Sequence, residues 1–302
     1  MKVVTNSIKR IMLSDVSARD GLQSLKKVLS FQEKDKLIND LSKCNFDEIE
    51  VGSLVNYKII PTMKNSLSLY INTRKLKSVS SYYLLIGNSK GIDIVNKEKV
   101  KNISFFTSPS DTFNLKNINL NTKDSFIRIG NMINKIEDRN NVNVKGYISC
   151  IGSCPFEGDV NIKNIIDSVC EFKKIGVDEI CLADTIGDLK KEKLSLILGG
   201  ISDRIGYNFD KLSLHLHVDF ESEYWKENIK EALKYNISKY DTSILNLGGC
   251  PAIYKKCSST KLNGNLNIID ACEFFINEGY KINVDIDKIK KVEGYWKDKL
   301  IR

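Results

Sequence analysis

The chain has 302 residues, 42% hydrophobic and 28% charged, with a formal net charge of +8. This composition describes a soluble globular protein, and the length suits one α/β barrel. No apolar run approaches a membrane span, and Met1 to Ser7 carries no signal-peptide core and leaves no room for a transit peptide, so a cytoplasmic protein is expected. Lysines are interleaved with Asp and Glu rather than gathered on one face, which argues against a nucleic-acid partner. The basic surplus would suit a phosphate-bearing ligand. The eight cysteines follow no disulfide or zinc-ribbon spacing, so free thiols are expected.

Taken in order, Arg10 to Val16 reads as a first strand, followed by Arg19-Asp20-Gly21. A helix over Ser30 to Cys44 has Leu37, Ile38 and Leu41 at helical spacing and Ser30 as its N-cap. Further strands are expected at Asp47–Gly52, Ser81–Ile86, Ile103–Thr107, Val144–Ser149 and Glu179–Ala183. Residues 54–78 read as helix and loop. Helices are expected over Thr122–Asn140, over Asn161–Ile175 with Gly176 at the C-cap, from the sixth strand to about Arg204, and over Glu223–Tyr235. The seventh strand is Leu212–Val218 and the eighth is Lys239–Leu247. Strand and helix alternating eight times over about 250 residues is the pattern of a (β/α)8 TIM barrel. One domain is expected over 1–302, with the barrel at about 8–266 and a helical extension at about 267–302.

The seventh strand carries the only two histidines. A period of two puts His215 and His217 on one face and Leu214, Leu216 and Val218 on the other. Two imidazoles at a strand end are natural metal ligands, although two ordinary core histidines would give the same pattern. Other polar residues fall at C-terminal strand ends, where barrels place their active sites. They are Arg19 and Asp20, Glu50, Ser149 and Cys150, Asp184 and Thr185, and Gly248-Gly249-Cys250-Pro251. Each alone could be a turn or a cap. Their coincidence at one barrel face points to function.

Several stretches resemble the 3-hydroxy-3-methylglutaryl-CoA lyase family of metal-dependent barrels. They include Arg19-Asp20-Gly21-Leu22-Gln23, Ile49-Glu50-Val51-Gly52-Ser53, Gly146-Tyr147-Ile148-Ser149-Cys150 and Cys154-Pro155-Phe156-Glu157-Gly158. Asp184-Thr185-Ile186-Gly187, Gly248-Gly249-Cys250-Pro251 and Gly264-Asn265-Leu266 extend the likeness over about residues 8–295. The resemblance implies an acyl-CoA lyase that cleaves 3-hydroxy-3-methylglutaryl-CoA in a retro-Claisen step. It implies a divalent metal, Mg²⁺ or Mn²⁺, on Asp20, His215, His217 and Asn265. Arg19 would stabilise the enolate and Cys250 would be the acid/base. Asp184 and Glu50 would support them or relay protons. Coenzyme A would arrive as part of the substrate. A homodimer is compatible with this reading, and neither nucleic acid nor membrane is expected as a partner.

Two departures from the family pattern stand out. The family places Asp-Thr directly after the histidine pair, whereas Val218-Asp219 follows here and moves the acid to the other face. The segment between Cys250 and Asn265 is longer than the family's compact form and carries Lys255, Lys256 and Lys261. These departures keep two other readings open. One is a condensing synthase acting on an acyl-CoA and a 2-oxo acid. The other is a catalytically weakened barrel that only binds metal or ligand.

Overall fold

The computed structural model describes residues 10–206, 209–218, 223–249 and 263–300. Eight parallel strands form the barrel: β1 (Met12–Asp15), β2 (Glu48–Leu54), β3 (Ser81–Ile86), β4 (Asn102–Thr107), β5 (Asn143–Ile148), β6 (Glu179–Asp184), β7 (Leu212–Val218) and β8 (Lys239–Thr242). Each pairs with the next, and β8 returns to β1 with Met12 opposite Lys239 and Asp15 opposite Thr242. That last pairing closes the ring, so the expected (β/α)8 barrel is the observed one.

The helices around the ring are α1 (Phe31–Ser42), α2 (Ser66–Thr73), α3 (Ser89–Glu98), α4 (Asp111–Ile118), α5 (Thr122–Ile133), α6 (Ile162–Lys174), α7 (Lys191–Ile205) and α8 (Tyr224–Lys234). Two more, α9 (Ile268–Asn277) and α10 (Ile286–Leu300), form the C-terminal helical segment. Ser30 caps α1 as expected, and Glu33 returns the bond to complete a capping box. None of the described helices is long and apolar enough to cross a membrane.

Three local differences have physical causes. Helix α5 stops at Ile133 rather than Asn140. The Asn96 side chain there accepts from Glu137 N–H and donates to Lys135 C=O, holding the chain in a turn. Helices α3 and α4 were not expected. Their apolar positions are few, but Asn88 and Ser110 cap them. Strand β8 ends at Thr242 rather than Leu247, because Leu245 and Asn246 take positive φ and turn the chain into the mouth.

The strand interiors carry charge. Lys145 of β5 is 2% exposed, with Nζ 2.6 Å from Glu48, 3.0 Å from Glu179 and 3.6 Å from Asp241. Lys239 joins from β8, 2.5 Å from Glu179. Burial would lower the Lys145 pKa, but Asp241, Glu179 and Glu48 outweigh it and hold the ammonium firmly charged. Four strands are thus tied by a central cation. Lys145→Met should lower stability by about 3–5 kcal/mol, because removing one partner leaves buried charge uncompensated. A fall in the urea midpoint at constant slope measures this, and a midpoint unchanged from wild type would refute the role.

Candidate metal centre and active site

Arg19 and Asp20 lie in a single π-helical turn, Ser17–Gly21, directly after β1. The turn is set by Asp15, whose carboxylate accepts from Ser17 N–H at 2.9 Å and Ser17 Oγ at 2.8 Å. Ser17 Oγ in turn accepts from Ile244 N–H across the ring. Such turns re-aim side chains at functional sites.

Three of the expected ligands converge. Ligand atoms of Asp20, His215 and His217 all lie within 4.8 Å of one another. The two Nε2 atoms are 3.1 Å apart, and Asp20 Oδ2 is 3.8 Å from His217 Nε2. Asn265 completes the group from a two-residue antiparallel ladder, Gly264–Asn265, with Asn265 opposite His217 on β7. Its amide nitrogen donates to Asp20 Oδ2 at 2.9 Å and to Leu247 C=O at 2.8 Å. Its Oδ1 is buried without a hydrogen-bond partner. A buried orphan acceptor beside a carboxylate and two imidazoles fits a divalent cation.

The protonation states agree with that use. Burial lowers the His217 pKa and the neighbouring His215 adds to the effect, favouring the neutral imidazole a metal requires. Burial would raise the Asp20 carboxyl, but the Arg19 guanidinium and the His217 hydrogen bond hold it well below the usual carboxylate range. Gly248 belongs to the same packing. It has φ +144°, and a Cβ there would come within 2.3 Å of Asn265 Nδ2.

Arg19 is clamped on both sides. Nε meets Glu50 Oε2 at 2.5 Å and one terminal nitrogen meets Asp20 Oδ1 at 2.5 Å. Glu50 also accepts from Ser104 Oγ at 2.5 Å. Glu50 therefore touches Arg19 rather than the metal ligands. Asp184 is placed differently again. Its carboxylate accepts backbone N–H groups of Gly187, Asp188 and Leu189, and it anchors the loop after β6. Burial pushes its pKa up to about 7, against the pull of those amides. Cys250 and Asp219 lie outside the described residues.

The sequence did not single out Asp241 or Tyr147 as site residues. Asp241 of β8 stands opposite His215 in the β7–β8 register, and its Oδ2 lies 3.2 Å from His215 Nδ1. This carboxylate supports His215 from the neighbouring strand. It accepts a hydrogen bond from His215 Nδ1–H, which leaves the lone pair on Nε2, the atom 3.1 Å from His217 Nε2. Tyr147 donates to the same oxygen at 2.9 Å, sets its ring edge-on to His215 and lies under the Arg19 guanidinium. Four of the barrel strands carry a buried charge, at Glu48, Lys145, Glu179 and Asp241, and that pattern was the available signal.

A cavity of about 420 Å³ opens over these groups. Arg19, Asp20, Tyr147, His215 and His217 form its polar floor, and Val55, Ile59, Ile60, Phe106 and Phe113 form much of its wall. Its size is that of a small-molecule site.

A carboxylate and two imidazoles at the C-terminal mouth of a (β/α)8 barrel, with an asparagine amide beside them, would suit a hard divalent cation. The chain belongs to the HMGL-like family, whose profile matches residues 10–293. It is 31% identical over 93% of its length, and 89% of the relative's, to the 3-hydroxy-3-isohexenylglutaryl-CoA/hydroxymethylglutaryl-CoA lyase of Pseudomonas aeruginosa. It is 30% identical to the mitochondrial hydroxymethylglutaryl-CoA lyase of Homo sapiens, over 95% of this chain and 85% of that one. Among solved structures, the hydroxymethylglutaryl-CoA lyase from Pseudomonas aeruginosa superposes with a TM-score of 0.84 at 30% identity, covering 94% of this chain and 91% of the other. The HMG-CoA lyase from Brucella melitensis superposes with a TM-score of 0.88 at 25% identity, covering 97% of this chain and 100% of the other.

Asp241→Asn keeps the side-chain shape but can no longer hold the His215 Nδ1 proton as a carboxylate does. Mn²⁺ affinity, measured by calorimetry, should fall about 10- to 100-fold. An unchanged affinity would mean that Asp241 does not orient the ligand.

Proposed function

We propose that the chain is a divalent-metal-assisted carbon–carbon lyase that splits 3-hydroxy-3-methylglutaryl-CoA into acetyl-CoA and acetoacetate. The observation that carries this reading is the cluster of Asp20, His215, His217 and the orphan Asn265 Oδ1, set beside a charge-clamped arginine in one cavity. The names of the relatives favour it over the condensing synthase and over a barrel that only binds.

Asp20, His215, His217 and Asn265 would hold the metal, with Mg²⁺ or Mn²⁺ the expected ion because the donors are mixed oxygen and nitrogen. When bound, such an ion supplies Lewis acidity that makes a substrate hydroxyl easier to deprotonate. A base at the site would take the hydroxyl proton, C3 would become the ketone carbon of acetoacetate and the C2–C3 bond would break. The bonding electron pair then moves onto the thioester carbon chain, where its charge resides on the carbonyl oxygen as an enolate.

Arg19 faces that oxygen. Two of its five N–H bonds are engaged by Glu50 and Asp20, and among the described residues the other three have no hydrogen-bond acceptor. Burial would lower its pKa, but Glu50 and Asp20 hold it above the ordinary arginine value, so its positive charge is permanent. A fixed cation aimed at developing negative charge is catalysis by preorganised electrostatics. Glu50 and Tyr147 act through Arg19 and His215 as positioning residues, and Asp184 does so through its loop. Cys250, carried on the glycine loop that begins at Gly248, would protonate the enolate carbon. The cysteines among the described residues are all free, which suits a reducing compartment such as the cytoplasm.

Purified protein with Mg²⁺ or Mn²⁺ should release acetoacetate from 3-hydroxy-3-methylglutaryl-CoA, and chelation should stop it. Arg19→Met should cost about 10²- to 10³-fold in kcat, the scale of losing one oxyanion donor. Absence of acetoacetate with either metal would overturn the assignment.

A further inference from the structure

The connection from Leu247 to Asn265 leaves the barrel and returns to it at one place, and a helix near the C-terminus holds both ends. Glu293 lies half-buried on α10. Its Oε1 accepts from Leu245 N–H at 2.8 Å and from Asn267 Nδ2 at 2.8 Å. Leu245 comes just before the connection leaves, and Asn267 just after it returns. Lys290, one turn earlier on the same helix, pairs with Glu273 of α9 instead. This carboxylate is therefore spent on two amide donors rather than on a surface ion pair.

Both donors belong to the support of the metal cluster. Leu245 has φ +55° and Asn246 has φ +51°. A leucine in the left-handed region persists only where its surroundings over-determine it. Ile244 N–H is held by Ser17 Oγ at 2.9 Å, and Glu293 is the next fixed point of the turn. The turn delivers Leu247. Its side chain packs against Gly21, where a Cβ would come within 2.9 Å of it, and its C=O accepts from Asn265 Nδ2 at 2.8 Å. On the returning side, Asn267 Oδ1 caps α9 by accepting from Ile269 and Asp270 N–H, while its Nδ2 goes to Glu293. With Asn265 Nδ2 committed to Leu247 and Asp20, its Oδ1 is the atom left open beside the cluster.

We propose that Glu293 is a positioning residue for the metal centre: by holding the turn at Leu245 and the cap at Asn267 to one oxygen, it fixes the direction of the Asn265 amide. The inference rests on the metal-site part of the reading above and is independent of which acyl-CoA is cleaved. Glu293 acts through Leu245 and Asn267 and is not itself a ligand.

Mn²⁺ titrated calorimetrically into the whole protein provides the first test. Glu293→Asp keeps the charge but is a methylene too short to reach both donors. It should weaken Mn²⁺ binding about 10-fold, the lower end of the range for groups that hold a ligand from behind. Glu293→Gln keeps the length and the accepting oxygen and should stay closer to wild type. The opposite order would sink the proposal, because charge rather than reach would then matter. In an Asn265→Ala background, Glu293→Asp should have no further effect on Mn²⁺ affinity, since the ligand it aims is gone. Additive losses there would mean general destabilisation and would refute the role. Amide hydrogen exchange gives a readout without metal. Leu245 N–H should exchange faster in Glu293→Asp, while the amides of β5 keep their wild-type rates. Unchanged exchange at Leu245, or unchanged Mn²⁺ affinity in Glu293→Asp, would overturn this inference and leave the lyase reading intact. A wild-type protein that binds no Mn²⁺ would overturn the metal site and this inference together. Mn²⁺ binding that depends on Glu293 in a protein that releases no acetoacetate would overturn the lyase reading alone.

Discussion

The contact between Lys145 and Asp241 is the constraint on which the site depends. Asp241 is shared by three groups: the ammonium of Lys145 below it, the hydroxyl of Tyr147 beside it and the imidazole of His215 above it. Burial alone would protonate this carboxyl, but Lys145 and the His215 and Tyr147 hydrogen bonds hold it well below the usual carboxylate range. A charged Asp241 is what keeps the His215 proton on Nδ1. Interior polarity and ligand tautomer are therefore one problem, solved by one cation several side chains beneath the mouth. A barrel filled only with branched aliphatics would pack as well but could not orient an imidazole.

Arg19 repeats this logic at the rim. Its two carboxylates neutralise it only in part, since Asp20 also faces His217 and accepts from Asn265, and Glu50 also binds Ser104. The π-helical turn brings neighbouring residues to different tasks, with Arg19 toward Glu50 and Asp20 toward His217. The proposed metal position and the proposed enolate-stabilising position are consequently set by one five-residue turn. Displacement of that turn would move both.

Much of this was legible in the sequence, and the remainder was hidden for physical reasons. The histidine pair, Asp20 and Asn265 lie in local motifs, and the barrel topology alone brings them to one mouth. Asp241 could not be assigned from its neighbours, because its pairing with His215 is a register between two strands 26 residues apart along the chain. The acid expected next to the histidines was sought along the strand when it came from across it. Strand β8 was read too long because the turn begins with positive φ at Leu245, which a leucine does not advertise, although Asn246 is of a type that takes it readily. Glu293 sits in an amphipathic helix, where a glutamate ordinarily reads as solvated surface. Only the fold reveals that it reaches the turn at Leu245.

The Asn265 amide spans two functions, joining Leu247 C=O to the metal cluster while its strand pairs with His217. Both ends of the connection between Leu247 and Asn265 are therefore pinned to the same few atoms, like a handle fixed at one rivet. The entropy of closing a loop grows only with the logarithm of its length, each doubling costing about 0.6 kcal/mol. Residues can accumulate between the two pinned ends at little energetic penalty and without shifting a ligand. Lengthening of this segment and retention of the metal geometry are thus independent variables in evolution. Substrate choice at the mouth can drift while the chemistry at the floor stays fixed.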